Sequence, residues 1–118
     1  MPETRRLAGD FAVTGQLRSE DLPGIAAQGF RTIINNRPDG EAPDQPPSAE
    51  LEAAAGRLGL DYRHIPVRPG KIDARTAAEL AAALAELEKP VLAFCRSGSR
   101  SANLWMVLQP IGGRVAPK

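Results

Sequence analysis

The sequence predicts an α/β fold in which a mainly parallel sheet of about four strands is flanked by helices. Short apolar or β-prone segments alternate with helical patterns along the chain, which is typical of parallel sheets. One of these segments, residues 91–94, is continuously apolar and suits a central strand that is covered on both faces. The chain has 118 residues, of which 42% are hydrophobic and 25% are charged, as expected for a single folded domain. We therefore expect one domain over residues 1–118, with its core at about 5–108.

Four segments have the composition of strands. Residues 11–16 are a short β-prone run, which we expect to be a first, edge strand. Residues 30–35 and 60–67 follow, and the second of these ends at the turn of Pro69 and Gly70. Residues 91–94 complete the predicted sheet.

Helical patterns separate the strands. They cover residues 19–29, 48–58, 74–88 and 100–108. The third is rich in Ala, with Asp73 as its expected N-cap and Pro90 beyond its end. Pro110 cuts the last helix short, so we expect residues 109–118 to be an irregular tail.

The carboxyl ends of the predicted strands mark where a ligand would bind. Residues 35–47 contain four prolines and a glycine, so this segment is a loop long enough to be functional. In parallel sheets ligands bind beyond the carboxyl ends of the strands. We therefore expect the segments after Asn35, Val67 and Phe94 to converge on one crevice.

Composition excludes several classes of function. The net charge is +1 and no basic run exceeds Arg5–Arg6, which argues against nucleic acid as a partner. No apolar run is long enough for a membrane span, and the first residues are too polar for a signal peptide, so we expect a cytoplasmic protein that does not bind membranes. The single cysteine, Cys95, excludes an internal disulfide and a multi-cysteine metal site. We expect neither metal nor cofactor.

The segment around Cys95 is the most informative. It follows a predicted buried strand and opens a helix, so backbone N–H groups and the positive end of the helix dipole point into one concavity. Such surroundings bind anions and stabilise a thiolate, which is a nucleophile. Arg100 adds a planar fork that suits oxyanions. Cys95 could instead be a packed apolar residue at the end of a strand, but that reading leaves the neighbouring arginines and glycine unexplained.

Other residues are assigned to the same anion site. Gly98 would let the backbone approach the anion, Ser99 or Ser101 could hydrogen-bond the sulfur, and Arg96 could lower the pKa of the thiol. Arg37 follows a predicted strand and is either a second anion contact or a solvated loop residue. The candidate anion-binding residues are Arg96, Ser97, Gly98, Ser99, Ser101 and Arg37.

The loop from Cys95 to Ser101 resembles the Cys-x-x-Gly-x-Arg-Ser loop of rhodanese-like sulfurtransferases and, more loosely, the cysteine loop of tyrosine and dual-specificity phosphatases. With residues 11–16, 30–40 and 62–67, it is similar to the phosphatase-like domain of beta-lactamase-hydrolase-like proteins. The resemblance covers about residues 5–108. It implies a protein-tyrosine-phosphatase-like fold with a Cys/Arg anion loop. Members of the family often adjoin metallo-hydrolase or sulfide-oxidation domains, so a protein of that kind is a candidate partner.

Two reactions suit such a loop, and both act on a small anionic substrate. The resembled phosphatases place five residues between Cys and Arg, whereas four separate Cys95 from Arg100, as in rhodaneses. They also have His where Phe94 stands, and an Asp general acid in the loop after the third predicted strand, where the nearest carboxylate is Asp73. Asp73 is either that acid, and thus catalytic, or a helix cap.

These departures favour persulfide transfer by Cys95, with Arg100 as its catalytic partner. Hydrolysis of a phosphate ester through a phosphocysteine is the alternative. A non-catalytic domain that binds an anion or a partner is the second alternative. The short last helix also allows a homodimer.

Overall fold

Five strands form one sheet in the computed structural model, which describes residues 2–109. The strands are β1 (Arg5–Ala8), β2 (Phe11–Thr14), β3 (Thr32–Asn35), β4 (Asp61–His64) and β5 (Val91–Phe94). Their spatial order is β1-β2-β5-β3-β4, and every pairing is parallel except that of β1 with β2. The predicted α/β class with a mainly parallel sheet is confirmed.

The prediction that the segment starting at Phe11 lies at the edge is wrong. A fifth strand, β1, lies outside it and pairs Arg6 with Ala12 in antiparallel register. Both arginines of β1 are exposed. Because the strand begins with two charged residues, it lacks the apolar alternation by which strands are predicted from sequence. Charged side chains on an outermost strand also discourage pairing with other chains.

Four α-helices and one 3₁₀ turn accompany the strands within residues 2–109. The turn is Ser19–Asp21, and the helices are α1 (Leu22–Ala27), α2 (Ser48–Arg57), α3 (Ala74–Glu86) and α4 (Ser99–Val107). Each helix lies within its predicted segment or differs from it by one or two residues at an end. In the first segment, residues 19–21 form the 3₁₀ turn instead of α-helix. Residues 110–118 of the predicted tail lie outside the described residues.

The helices cover both faces of the sheet. Ile33 and Ile34 are adjacent in β3 and point to opposite faces, because side chains alternate along a strand. Ile34 packs with Leu80 of α3 on one face, and Ile33 packs with Leu51 of α2 on the other. All four side chains are fully buried. Burial of this kind contributes about 1.5–3 kcal/mol for each side chain and makes the sheet a rigid base for the loops at its carboxyl edge.

Backbone hydrogen bonds join the loops at that edge. The N–H of Asn36, just after β3, donates to the carbonyl of Phe94 at 2.8 Å, and the N–H of Gln16 donates to the carbonyl of Arg96 at 3.2 Å. The end of β5 and the segment after it are thus fixed to the segments that follow the two neighbouring strands. Within residues 2–109, no helix has the length and apolar character that crossing a bilayer requires.

Candidate active site

Three loops meet at the carboxyl edge of the sheet and enclose a cleft of about 410 Å³. The residues that line it are Arg37, Glu41, Ala42 and Pro43 from the loop after β3, Pro69 from the loop after β4, and Arg96 and Arg100 from the segment after β5. The expectation that these three segments converge on one crevice is confirmed. The ionisable side chains lining the cleft are three arginines and one glutamate, so its charge favours an anion.

Cys95 is the residue directly after β5 and is only 1% exposed. Its Sγ accepts a hydrogen bond of 3.1 Å from the backbone N–H of Gly98. Gly98 is the N-cap residue of α4 and has a φ of 97°, in the left-handed region that favours glycine. A Cβ at this position would also lie 3.3 Å from the carbonyl oxygen of Thr14. The close turn of the loop around the sulfur therefore depends on this glycine.

The surroundings of the sulfur lower the pKa of the Cys95 thiol. Burial is the largest single influence and raises the pKa, but hydrogen bonding from the backbone N–H groups of the loop, those of Ser101, Ser97, Gly98 and Arg100, outweighs it. These amides belong to the start of α4, where N–H groups lack partners within the helix. A thiol held in this way ionises more readily than an ordinary cysteine and becomes a better nucleophile.

The serine hydroxyls of the loop make other contacts. The hydroxyl of Ser101 donates to Oδ1 of Asn36 at 2.8 Å, and the hydroxyl of Ser97 donates to that of Ser99 at 3.1 Å. Asn36 in turn donates to the carbonyl of Ile65 at 2.9 Å. In this structure Ser97 and Ser101 act on the sulfur through their backbone N–H groups, whereas the N–H of Ser99 donates to the hydroxyl of Ser97. The hydroxyl of Ser101 fixes α4 to the end of β3.

Arg100 is held in place by Glu41. Its Nη1 donates to Oε2 of Glu41 at 2.8 Å and its Nη2 donates to Oε1 at 2.9 Å, while Nη1 also donates to the carbonyl of Val67 at 2.9 Å. These bonds use three of the five N–H groups of a guanidinium and leave the one on Nε and the second one on Nη2 for an anion. Hydrogen bonding with Glu41 and, to a smaller extent, the nearby Cys95 side chain raise the pKa of Arg100.

Glu41 also pairs with Arg37. Nε of Arg37 donates to Oε1 of Glu41 at 2.9 Å, and its Nη1 donates to Oε1 of Gln16, also at 2.9 Å. The hydrogen bonds from Arg100, the largest influence, and the one from Arg37 outweigh the effect of burial and lower the pKa of Glu41 from 4.5 to about 2. The Arg37 side chain is only 6% exposed. It lines the cleft and is not a solvated loop residue, while its role as a second anion contact stays a prediction. In this structure its contact with Arg100 runs through Glu41.

Two other candidates lie at the margin. Arg96 is exposed and lines the cleft. Asp73 is the exposed N-cap of α3, where its carboxylate accepts a hydrogen bond of 2.9 Å from the N–H of Thr76. The structure thus shows the capping contacts expected of Asp73, and its role as a general acid stays a prediction.

Three residues that help to build the site were not predicted. Glu41 lies in the proline-rich loop, and Gln16 and Asn36 each come just after a strand. A polar residue directly after a parallel strand is a signal for a site, and it could have identified Asn36. Glu41 gave no such signal, because the path of a long loop does not follow from periodicity. Among residues 2–109 there is no cluster of three or more His, Cys, Asp or Glu side chains that could hold a metal ion.

Comparison with known proteins agrees with this geometry. Residues 3–112 match the model of the beta-lactamase hydrolase-like protein, phosphatase-like domain. A beta-lactamase hydrolase-like protein of Agrobacterium fabrum is 38% identical over 110 residues, which are 93% of this chain and 26% of the relative. The chain therefore spans about a quarter of that curated relative's length.

Solved structures show the same fold. A protein of Neisseria meningitidis described as a putative phosphatase superposes with a TM-score of 0.80 and 33% identity, over 86% of this chain and 72% of that one. The core catalytic domain of the PP-IP phosphatase SIW14 of Saccharomyces cerevisiae superposes with a TM-score of 0.68 and 16% identity, over 87% and 62% of the two chains.

The fold is of the tyrosine-phosphatase-like class, as the sequence predicted. Within that class, the chain belongs to the phosphatase-like domain family of beta-lactamase hydrolase-like proteins.

Proposed function

We propose that this domain is a cysteine-dependent hydrolase of the phosphatase type, in which Cys95 attacks the phosphorus of a small phosphorylated substrate. The observation that carries the proposal is the convergence of loop N–H groups on the Cys95 sulfur, together with the thiol pKa that they lower. The same N–H groups can bind the oxygens of a phosphoryl group. One loop thus supplies both a nucleophile and an oxyanion site.

Arg100 has the second role in this reaction. Its two N–H groups that are not bonded to Glu41 or Val67 can contact two oxygens of the phosphoryl group. Because Glu41 already fixes the guanidinium, little side-chain freedom is lost when the substrate binds. Arg96 adds positive charge at the mouth of the cleft.

The sequence alone favoured persulfide transfer, and the comparisons favour the phosphatase alternative instead. The matched family and the structural neighbours are described in phosphatase terms. Persulfide transfer stays the second candidate, because the spacing of four residues between Cys95 and Arg100 is that of rhodaneses. In that reaction Cys95 takes a sulfur atom from the donor and passes it to a thiophilic acceptor.

Two parallel assays test these proposals. The protein is incubated with an aryl phosphate and, separately, with thiosulfate and cyanide, and the phosphate and thiocyanate released are measured. We expect phosphate release that a C95S variant abolishes and that an R57K variant, altered at an exposed residue at the end of α2, retains. Thiocyanate without phosphate would establish the second candidate. If neither product is released, the domain is a non-catalytic anion-binding module.

A further inference from the structure

We propose that the substrate is an activated phosphate, an acyl phosphate or a phosphoanhydride, whose leaving group departs as an anion without receiving a proton from the protein. The inference rests on the proposed phosphatase-type function and names the substrate class of that same site. It follows from the state of each ionisable group at the cleft.

The leaving group decides whether a hydrolase of this kind needs a proton donor. The leaving oxygen of an alkyl phosphate becomes an alkoxide, a strong base comparable to hydroxide. A side chain that protonates this oxygen contributes about 10²–10⁴-fold to the rate. A carboxylate or phosphate leaving group is stable as an anion at neutral pH and needs no such help. A site without a proton donor therefore discriminates between the two classes.

Glu41 is the one carboxyl group among the described residues that line the cleft, and both of its oxygens already accept hydrogen bonds. Both of its oxygens accept hydrogen bonds from Arg100, and Oε1 also accepts from Arg37. A proton on either oxygen would oppose these N–H groups. The low pKa of Glu41, about 2, agrees with this geometry. Glu41 is ionised at neutral pH and has no proton to give.

The other ionisable groups at the cleft are Arg37, Arg96 and Arg100. An arginine side chain keeps its proton in proteins, so none of the three is an acid catalyst. Together with Glu41 they give the lining of the cleft a net charge of +2 by formal count, three positive charges against one negative, and the Cys95 thiolate reduces it to +1. Positive charge of this kind stabilises a leaving group that departs with its negative charge.

Two carboxylates just outside the cleft, those of Asp39 and Asp73, are also acceptors. Asp73 accepts from the backbone N–H of Thr76 at the start of α3, and Oδ1 of Asp39 accepts from the N–H of Ser48 at 2.8 Å. The hydrogen bonds from Thr76 lower the pKa of Asp73. Nε2 of His64 lies 2.8 Å from the carbonyl of Arg37 and donates to it. Residues 110–118 contain no Asp, Glu or His that could replace them.

The reaction balances without a proton donor. The thiolate of Cys95 forms a bond to phosphorus while the bond from phosphorus to the leaving oxygen breaks, and that oxygen keeps the electron pair and departs as a carboxylate or phosphate anion. Water then attacks the phosphocysteine, the sulfur–phosphorus bond breaks, and the sulfur leaves as a thiolate. Both protons of the water remain on the product, dihydrogen phosphate. No oxidant or reductant is involved.

A comparison of leaving groups tests the proposal. Phosphate release by the whole chain is measured with acetyl phosphate, inorganic pyrophosphate, glycerol phosphate and a series of aryl phosphates, with C95S as the background. We expect kcat/KM for acetyl phosphate or pyrophosphate to exceed that for glycerol phosphate by about 100-fold or more. A general acid contributes at least about this factor to the departure of a basic leaving group, and the site lacks one. Along the aryl series, kcat/KM should fall as the leaving phenol becomes more basic. The better of the first two substrates distinguishes an acyl phosphate from a phosphoanhydride.

Equal values of kcat/KM for acetyl phosphate, pyrophosphate and glycerol phosphate would overturn the inference and leave the proposed function intact. Failure to release phosphate from any probe would instead reject the proposed function, and the inference with it. A D73N variant gives a second measurement, because Asn can still cap α3. We expect D73N to leave the ratio between acetyl phosphate and glycerol phosphate as in the wild type. A loss confined to glycerol phosphate would show that Asp73 donates a proton and would overturn the inference.

Discussion

Glu41 holds Arg100 through two parallel hydrogen bonds of 2.8 and 2.9 Å. The two residues are 59 positions apart in the sequence; Glu41 lies in the loop after β3 and Arg100 in the first turn of α4. Because Glu41 and the carbonyl of Val67 occupy three N–H groups on Nη1 and Nη2, the edge formed by Nε and Nη2 is the one left for an anion. A further bond from Arg37 to Glu41 anchors the pair to the end of β3. The loop after β3 thus determines how the arginine of the cysteine loop is presented.

An E41Q variant should lose activity. Gln has the shape of Glu, but its amide NH2 would face an N–H group of Arg100, so one strong hydrogen bond is replaced by a repulsive contact. A hydrogen bond to a charged group is worth about 1.5–3 kcal/mol, so we expect kcat/KM for an aryl phosphate to fall by about 10- to 100-fold. An E20Q variant is the control, since Glu20 is exposed on the 3₁₀ turn. Full activity in E41Q would show that Arg100 does not need this partner.

The stability contributed by Glu41 should depend on pH. Its pKa is lowered from 4.5 to about 2 in the folded protein, mainly by the hydrogen bonds from Arg100. A carboxyl group with a depressed folded pKa stabilises the protein fully above its unfolded pKa, and the contribution disappears as the pH falls through the folded pKa. Both arginine partners stay charged throughout this range. The pH window for the loss is therefore from about 4.5 down to about 2.

Urea unfolding of the wild type and E41Q at several pH values measures this contribution. We expect the wild type to be more stable by about 1–2 kcal/mol at pH 7, a range reduced for the partial exposure of the pair. The difference should shrink steadily as the pH falls below 4.5. A difference that is the same at pH 7 and at low pH would mean that the charge of Glu41 is not what stabilises the fold.

The parts of the site that could be predicted from sequence are those set by local pattern. The apolar run before Cys95 and the glycine three residues after it predict a buried strand, a tight loop and a helix start, and the structure has all three. Asp73 as the cap of α3 is equally local, because its partner Thr76 lies one turn away. Convergence of the loops follows from parallel strands, which share one carboxyl edge.

The parts that could not be predicted depend on contacts between distant segments. β1 was missed because Arg5 and Arg6 lack an apolar pattern, and it is defined by pairing with β2. Glu41 contacts Arg100 only because of the path that the proline-rich loop takes. The hydroxyl of Ser101 was expected near the sulfur but donates to Asn36, which is 65 positions away in the chain. No periodicity indicates partners at such separations.

A G98A variant should be less stable than the wild type. Gly98 has a φ of 97°, which an alanine adopts only with strain, and its new Cβ would lie 3.3 Å from the Thr14 carbonyl oxygen. We expect a loss of about 1–3 kcal/mol in the free energy of unfolding.

Gly24 is a matched control, because it lies inside α1 and has no atom within 4 Å of an added Cβ. G24A should stabilise the protein by about 0.5–1 kcal/mol, as alanine favours helix. Equal effects of the two substitutions would contradict the role given to the turn at Gly98.

The Cys95 thiol should titrate below the range of an ordinary cysteine. Burial raises its pKa, but the backbone N–H groups of Ser101, Ser97, Gly98 and Arg100 lower it by more. The rate of alkylation by iodoacetamide as a function of pH reports the thiolate fraction, and its midpoint gives the pKa directly. Since Cys95 is 1% exposed, the absolute rate can be low while the midpoint remains informative.

The same protein unfolded in urea is the reference, because unfolding removes the loop. We expect the folded midpoint to lie at the lower pH. A folded midpoint at or above the unfolded one would show that burial outweighs the amides, and Cys95 would then be a packing residue rather than a nucleophile.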